Sequence, residues 1–407
     1  MTRLVCRSQP LGEPVDPLVF YVPDDGFLFH HPYGSVVTRG VAATIHIPAG
    51  PGQVADAAQR IEQVLATIRS TGEIAPFVVG ALPFDGEAPA TLVVPRSALV
   101  RRADGRGWRV VTHPEGADEP SLTGSDAPFQ PSMGLHLTPI PSPAAYVEAV
   151  ATARKRIADG ELDKVVLARM LMARADQPFD RRLILRRLEG REPGAYLFGV
   201  HGFVGASPEL LIARASERVL SKPVAGTIAR PGDPEGDARA ASVLLASSKE
   251  RAEHALVVDA VRAGLQSICD SVRVDPAPSI LGLHSVLHLT TEVHATLNPP
   301  RATALELAAR LHPTPAVCGT PRGGAMRLIR ELEAIDRTLY AGLVGWTDAR
   351  GDGEWAVALR CAEVQGRIAL LFAGAGIVAD SDPEAELAET EAKFLSMLHT
   401  LEHASKT

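Results

Sequence analysis

Two glutamate pairs have the residue type and spacing best suited to binding a cation. Glu250 and Glu253 lie in the segment SKERAEHALVVDAVR, and Glu386 and Glu389 lie in DPEAELAETEAKFLSML. Residues three apart on an α-helix share a face, so each pair can direct two carboxylates to one point. A single pair of this kind is common on a solvated helix, but two pairs within apolar helical segments favour a shared site. Four converging carboxylates predict a hard divalent metal ion.

A lysine and a fifth glutamate have the chemistry of an acid and base pair. Lys164 begins the apolar segment KVVLAR, and Glu209 lies beside leucines in SPELLI. Lys164 could be a surface charge whose stem covers apolar residues. If it instead faces a cleft, partial desolvation makes a neutral amine available as a general base. Burial would keep Glu209 protonated, as a general acid must be at neutral pH.

Two glycine-containing segments could bring the backbone close to a ligand. In KPVAGTIAR, Gly226 and Thr227 could offer amide N–H groups and a hydroxyl to a carboxylate, although such turns are common. The segment FAGAGIV contains Gly374 and Gly376 but lacks the G-x-G-x-x-G spacing of a dinucleotide-binding loop. It therefore predicts close approach to a ligand and argues against a Rossmann fold.

Two basic residues could hold an anion. Arg360 lies in the alternating segment WAVALRCAEV, which predicts a strand. An inward-facing guanidinium there needs an anionic partner, and a substrate carboxylate and a buried structural ion pair are equally favoured. Lys393 follows Glu389 by four residues, so one helix could offer a metal ligand and a cationic contact on the same face.

The composition excludes several classes of protein. The 407 residues include 46% hydrophobic and 22% charged residues, the balance of a globular protein with a large core. A formal net charge of -7, without a cluster of basic residues, argues against a nucleic-acid partner. The chain begins without a signal-peptide core and has no apolar stretch long enough to span a bilayer, so we expect a cytoplasmic protein with no membrane partner. Its four cysteines lack the spacing of a zinc site and should be reduced.

Apolar periodicity and glycine or proline punctuation predict mixed strands and helices, an α+β fold. Helices are predicted at residues 54–69, 144–159, 181–188, 238–271, 302–310 and 321–332, with a last helix that begins at Asp382 and Pro383. Strands are predicted in DKVVLARMLMAR, in YLFGVHGF and in a hairpin that joins WAVALRCAEV to IALLFAGAGIV. Residues 114–143 are rich in Pro, Ser and Gly and predict an exposed connection.

From about residue 144 to residue 398 the chain resembles the chorismate-utilising enzymes. Nine segments in the family's order carry the resemblance: DKVVLAR, SPELLI, KPVAGTIAR, SKERAEH, LHPTPAVCGTP, DRTLYAGLVGW, GEWAVALRCAE, FAGAGIV and ELAETEAK. Within the family, the isochorismate synthases are the most similar. The resemblance implies two stacked, mostly antiparallel β-sheets flanked by helices. It also implies one chorismate-binding domain over residues 1–407, with residues 1–113 as scaffold and residues 144–400 as the catalytic part.

The resemblance further implies a role for each matching residue. Lys164 would be the base that activates water, and Glu209 the acid that protonates the departing C4 hydroxyl. Residues that would bind Mg²⁺, two directly and two in support, are Glu253, Glu389, Glu250 and Glu386. The ring carboxylate would lie at Gly226 and Thr227, the enolpyruvyl carboxylate at Tyr340, Arg360, Gly374, Gly376 and Lys393, and His288 would form a further wall.

The implied activity is Mg²⁺-dependent conversion of chorismate to isochorismate, by addition of water at C2 and loss of the C4 hydroxyl. Lys164 disfavours the aminodeoxychorismate and anthranilate synthases, which use ammonia and generally lack this lysine. Salicylate synthase, which goes on to eliminate pyruvate, is the alternative, and a catalytically idle binding relative is a second one. The family suggests a monomer. The sequence leaves open whether the product feeds a siderophore, menaquinone or salicylate route.

Overall fold

The computed structural model describes residues 3–13, 15–119 and 134–402 of the chain. Within these residues the strands are β1 (Leu4–Pro10), β2 (Gly26–His31), β3 (Gly34–Ile47), β4 (Arg69–Thr71), β5 (Phe77–Leu82), β6 (Ala90–Arg101), β7 (Gly107–Pro114), β8 (His136–Ile140), β9 (Lys164–Arg174), β10 (Tyr196–Val200), β11 (Phe203–Ser207), β12 (Leu210–Ala215), β13 (Arg218–Lys222), β14 (Val224–Ala229), β15 (Cys269–Val274), β16 (Ser279–Gly282), β17 (Val286–Thr290), β18 (Val293–Leu297), β19 (Gly319–Thr320), β20 (Leu343–Asp348), β21 (Gly353–Val357), β22 (Cys361–Gln365) and β23 (Ile368–Ile377). The helices are α1 (Pro17–Phe20), α2 (Gln53–Leu65), α3 (Pro143–Ala158), α4 (Arg181–Arg191), α5 (Pro234–Ala246), α6 (Ser248–Gln266), α7 (Ala304–Leu311), α8 (Arg322–Leu332) and α9 (Pro383–Leu401).

Antiparallel pairing dominates the sheet structure. Strand β6 is the branch point, because it pairs with β3 along one edge and with β5 and then β7 along the other. One run of strands leads from β3 through β2, β10, β11, β22 and β23 to β9. The other run leads from β5 through β20, β21, β12, β13 and β18 to β15. A separate small sheet consists of β14, β17 and β16.

Two hydrophobic cores lie on opposite faces of the first run. Successive side chains of a strand point to opposite faces, and the neighbours Leu197 and Phe198 on β10 accordingly belong to different cores. The main core combines Phe198 with Trp355 from the second run. The second core combines Leu197 with Leu185 of α4 and Phe394 of α9. The expected α+β fold of packed, mostly antiparallel layers with helices outside is therefore confirmed.

The helix predicted at residues 238–271 is wrong in its extent. The chain forms two helices there, α5 and α6, and Ser247 separates them with non-helical φ and ψ angles of -66° and 114°. The Ser247 side chain accepts a hydrogen bond from the backbone N–H of Glu250, as a helix N-cap does. The last three residues of the predicted helix belong to β15 instead.

The predicted connection at residues 114–143 is also wrong in part. Strand β8 lies within it and pairs with β9, with Pro139 opposite Leu171. Its residues 120–133 lie outside the described part of the chain. The last helix is as predicted, since Asp382 accepts a hydrogen bond from the backbone N–H of Ala385 at 2.9 Å. Among the described residues, no helix has the length and apolar composition needed to cross a bilayer.

Candidate active site

The two glutamate pairs lie on helices, α6 and α9, as their spacing predicted, with Glu250 and Glu386 in the first turns and Glu253 and Glu389 in the turns that follow. The N-caps Ser247 and Asp382 fix the first turns. The Glu250 carboxylate accepts a hydrogen bond from the backbone N–H of Thr227 at 2.8 Å, which ties α6 to β14. Glu386, on α9, is buried, with only 5% of its surface exposed.

Burial and mutual repulsion raise the proton affinity of two of these glutamates. Burial and the charge of Glu389 raise the pKa of Glu386 to about 7. Burial also raises the pKa of Glu250, helped by the charges of Glu253 and Glu389. Glu250 on α6 therefore responds to a carboxylate on α9, which places the two pairs within electrostatic reach of each other. A divalent cation would relieve this repulsion, and carboxylate oxygens are ligands that a hard metal prefers.

The tightest group of candidate metal ligands among the described residues lies elsewhere. Ligand atoms of Asp275, Glu292 and His294 all lie within 4.8 Å of one another, but none of the three lines the cavity described below. Lys222 already pairs with Glu292 at 2.6 Å. The predicted glutamates do not form so tight a group within the described ranges, and two of them pair with lysines instead.

Lys164 is fully buried at the start of β9 and donates a hydrogen bond to Glu253. The distance from Nζ to Oε1 is 2.7 Å, which excludes the surface-charge alternative. Burial alone would raise the pKa of Glu253, but the charge and hydrogen bond of Lys164 outweigh it and leave the pKa below its ordinary value. Gly376 makes this contact possible, because a Cβ there would lie 2.8 Å from Lys164 Cε and 3.0 Å from Glu253 Oε1.

Glu209 lies at the turn before β12 and is 1% exposed. Burial raises its pKa to about 8, against the opposing charge of Lys164. Within the described part of the chain, neither carboxyl oxygen has a hydrogen-bond partner. The backbone N–H of Glu209 donates to Ser207 Oγ at 3.2 Å, which fixes the turn. A carboxyl in this position retains a proton at neutral pH, as a general acid requires.

Arg360 does not lie within a strand, contrary to the prediction. It lies in the short segment between β21 and β22 and has a φ of 49°. This is a left-handed conformation, which a pattern of alternating apolar residues cannot predict. Its Nη2 donates to His288 Nε2 at 2.9 Å, so the ring proton is on Nδ1, which lies 3.2 Å from the carbonyl oxygen of Gly226. Burial and the charge of Arg360 hold the pKa of His288 well below its ordinary value.

Lys393 extends from α9 towards the same region as Arg360. Its Nζ donates to the carbonyl oxygen of Gly374 at 2.8 Å and to Glu389 Oε1 at 2.5 Å. The Arg360 Nη1 donates to the Lys393 carbonyl oxygen at 3.3 Å. The groups that hold Arg360 are thus a neutral imidazole and a backbone carbonyl, which favours the substrate-carboxylate interpretation over a structural ion pair.

One cavity collects most of the predicted site residues. They are Glu209, Gly226, Thr227, Glu253, His288, Tyr340, Arg360, Gly374, Gly376, Glu389 and Lys393. Lys164, Glu250 and Glu386 do not line it but contact or neighbour residues that do. A larger cavity of about 640 Å³, elsewhere on the molecule, contains none of the predicted residues.

The sequence analysis missed the apolar walls of this cavity. They are Val166, Pro208, Val224, Ala225, Ala316, Val317, Ala341, Leu359, Phe372 and Ala373. The ring of Phe372 stacks on Tyr340 with centroids 5.3 Å apart. The only available signal was the position of these residues inside the resembling segments, since an apolar residue on a strand is otherwise read as core.

Comparison of the sequence and the fold with known proteins identifies the family. The sequence pattern of the family described as "Chorismate binding enzyme" matches residues 115–402. Isochorismate synthase DhbC of Bacillus subtilis (strain 168) is 39% identical over 386 residues, which cover 92% of this chain and 93% of that protein. Isochorismate synthase EntC of Escherichia coli (strain K12) is 35% identical over 399 residues, 96% of this chain and 98% of that one. The solved structure of MenF, the menaquinone-specific isochorismate synthase from Escherichia coli, has a TM-score of 0.83 at 25% identity and covers 98% of this chain and 95% of that one. The chain therefore belongs to the chorismate-binding enzymes.

Proposed function

We propose that this chain is an isochorismate synthase, which converts chorismate to isochorismate. Similarity to isochorismate synthases over nearly the full length of both chains supports this reaction within the family. One observation carries the mechanism. The buried Glu209 carboxyl, free of hydrogen-bond partners among the described residues, lines the same cavity as the cationic groups of Arg360 and Lys393.

The substrate carries two carboxylates, and the cavity offers a group for each. Arg360 and Lys393 suit the enolpyruvyl carboxylate, because a guanidinium and an ammonium both donate to anionic oxygens. The His288 imidazole accepts from Arg360 and keeps the guanidinium oriented. Gly226 and Thr227 line the cavity and are assigned to the ring carboxylate, and the left-handed φ of 78° accounts for glycine at position 226.

The reaction exchanges one hydroxyl for another and needs no redox step. With its amine unprotonated, Lys164 accepts a proton from water as the water oxygen bonds to C2 of the ring. The ring double bonds shift, and the bond between C4 and its oxygen breaks. Glu209 gives its proton to the departing hydroxyl, which leaves as water. One water molecule enters and one leaves, and return of the proton from Lys164 to Glu209 through solvent restores both groups.

The acidic cluster is the proposed Mg²⁺ site. Glu253 and Glu389 would hold the ion, with Glu250 and Glu386 in support. When bound, Mg²⁺ supplies positive charge that offsets the ring carboxylate beside the four glutamates. Binding, orientation and proton transfer remain the work of the side chains described above.

Product analysis tests the proposal directly. Purified protein is incubated with chorismate and Mg²⁺, and isochorismate, salicylate and pyruvate are separated by chromatography. We expect isochorismate without pyruvate. Salicylate with an equal amount of pyruvate would identify a salicylate synthase, and no turnover at any Mg²⁺ concentration would identify an idle relative.

A further inference from the structure

Strand β9, which begins with Lys164, has a gap along one edge. Its other edge pairs continuously with β23, from Val165 to Arg174. On the gapped edge, β19 pairs with Lys164 and Val165, and β8 resumes pairing only at Met170. The Val166 N–H still donates to the carbonyl oxygen of Cys318, next to β19, at 2.9 Å. The remaining backbone groups on this edge, up to Ala168, have no strand partner, although Val166 forms part of the cavity wall.

A buried ion pair occupies this gap. Glu333 Oε1 accepts a hydrogen bond from the backbone N–H of Ala168 at 2.8 Å, and Arg337 Nη2 donates to the carbonyl oxygen of Val166 at 2.8 Å. The two side chains bond each other, with Arg337 Nε 2.9 Å from Glu333 Oε2. Acid and guanidinium thus provide one acceptor and one donor to β9, as an adjacent strand would.

The same arginine also contacts a second segment of the cavity wall. Arg337 Nη1 donates to the carbonyl oxygen of Val317 at 2.8 Å, and Val317 lines the cavity. The backbone N–H of Tyr340, another wall residue, donates to the carbonyl oxygen of Arg337 at 2.7 Å. The side chains of the pair are 5% and 4% exposed, so water cannot replace these bonds.

We propose that the Glu333–Arg337 pair is a positioning device for the reaction, which fixes β9 and with it Lys164 against the apolar wall at Val317 and Tyr340. This inference rests on the proposed function. Arginine suits the task because its planar fork reaches separate acceptors, whereas a lysine ammonium is a point donor that cannot span them. The groups proposed to bind the substrate carboxylates, Arg360 and Lys393, lie on other elements and should keep their places when the pair is altered.

Hydrogen exchange tests the pair without any assay of activity. In the wild-type protein we expect the Ala168 amide to exchange only through global unfolding, as the other central amides of β9 do. In Arg337→Lys and Glu333→Gln this amide should exchange faster than those of Ala173 and Met172. A wild-type Ala168 amide that exchanges as fast as an exposed edge amide would overturn the inference, whatever the variants do.

Kinetics separate positioning from a loss of stability. Displacement of a catalytic group by roughly 1 Å can cost about 10²-fold in rate, so we expect kcat of Arg337→Lys to fall by about that factor, with KM for chorismate within about threefold. The matched control is Arg214→Lys, which alters another buried arginine, paired with Asp352 at 3.7 Å outside the cavity. Rates are compared well below each variant's melting temperature.

The control should lose stability and keep kcat. If Arg337→Lys also keeps the wild-type kcat while folded, the pair is merely structural and the inference fails. If Arg337→Lys does not fold, kcat is measured on Glu333→Gln instead. Glutamine keeps the size of the side chain and its acceptor oxygen but loses the charge that pairs with Arg337. A wild-type protein that does not turn over chorismate would refute the proposed function instead, and the exchange of the Ala168 amide would still decide the role of the pair.

Discussion

The Glu209 carboxyl can act as an acid because burial raises its pKa to about 8. The folded protein holds this group protonated at neutral pH and loses the proton above that value. We therefore expect kcat/KM for chorismate to fall as the pH rises through about 8. Glu209→Gln should lose about 10²- to 10⁴-fold in kcat, the usual contribution of a general acid. A pH–rate profile that stays flat across this region would contradict the assignment.

The same titration links Glu209 to stability, with a sign opposite to that of a paired carboxylate. The folded pKa lies above the ordinary value of 4.5, so the folded state binds the proton more tightly than the unfolded state does. The stability that this proton contributes is complete below the unfolded pKa and is lost as the pH rises through about 8. The melting temperature of Glu209→Gln should therefore improve relative to wild type as the pH rises towards that value.

Lys164 pairs with Glu253, a carboxylate that is also a proposed metal ligand. Because the ammonium and a divalent cation compete for Glu253, Lys164→Ala should bind Mg²⁺ more tightly while kcat falls by about 10²-fold or more. Calorimetric titration of Mg²⁺ without substrate measures the first effect. Arg301→Ala is the control, because Arg301 pairs with Glu217 at 2.8 Å outside the cavity and away from the candidate metal ligands. Weaker Mg²⁺ binding by Lys164→Ala would count against competition at Glu253.

At the scale of elements, the N-terminal parts of α6 and α9 supply the proposed metal ligands. We expect Glu253→Gln and Glu389→Gln each to raise the Mg²⁺ concentration for half-maximal activity by about 10-fold or more. Excess chelator should abolish activity, and added Mg²⁺ should restore it. Glu391→Gln is the control on the same helix, because its side chain is 59% exposed and lies near Arg169 rather than the cavity. Equal effects of all three substitutions would disprove a specific site.

The acidic helices should also make metal binding depend on pH. Protons compete with the metal for carboxylates whose pKa is raised, namely Glu386 at about 7 and Glu250. The apparent affinity for Mg²⁺ should therefore decrease as the pH falls through about 7. Titrations at pH values on either side of this point measure the change.

The sequence could predict features that local chemistry fixes. Asp382 followed by Pro383 marks a helix start, and glutamates three apart share a face wherever that helix lies. It could not predict the left-handed Arg360, since nothing local favours that conformation in an arginine. From the sequence alone, Glu333 and Arg337 look like an ordinary exposed i, i+4 ion pair. Their partners on β9 are distant in the chain, so no local pattern predicts these contacts.

At the scale of the whole molecule, residues 1–113 and 144–400 share their sheets. Strand β2 pairs with β10, and β5 pairs with β20, so ladders cross between the two parts. The main core likewise takes Trp108 from the first part and Trp355 from the second. That the chain is a single domain remains a prediction, and these shared ladders favour it.

Calorimetry tests this prediction, because two independent domains would melt separately. We expect one thermal transition for the full chain, shifted upward by Mg²⁺ if the ion binds the folded state alone. Residues 134–407 produced alone should not fold, because β10 and β20 would each present an unpaired, apolar edge that promotes aggregation. A soluble fragment with its own cooperative transition would show that residues 1–113 are dispensable for folding, and the single-domain prediction would then be wrong.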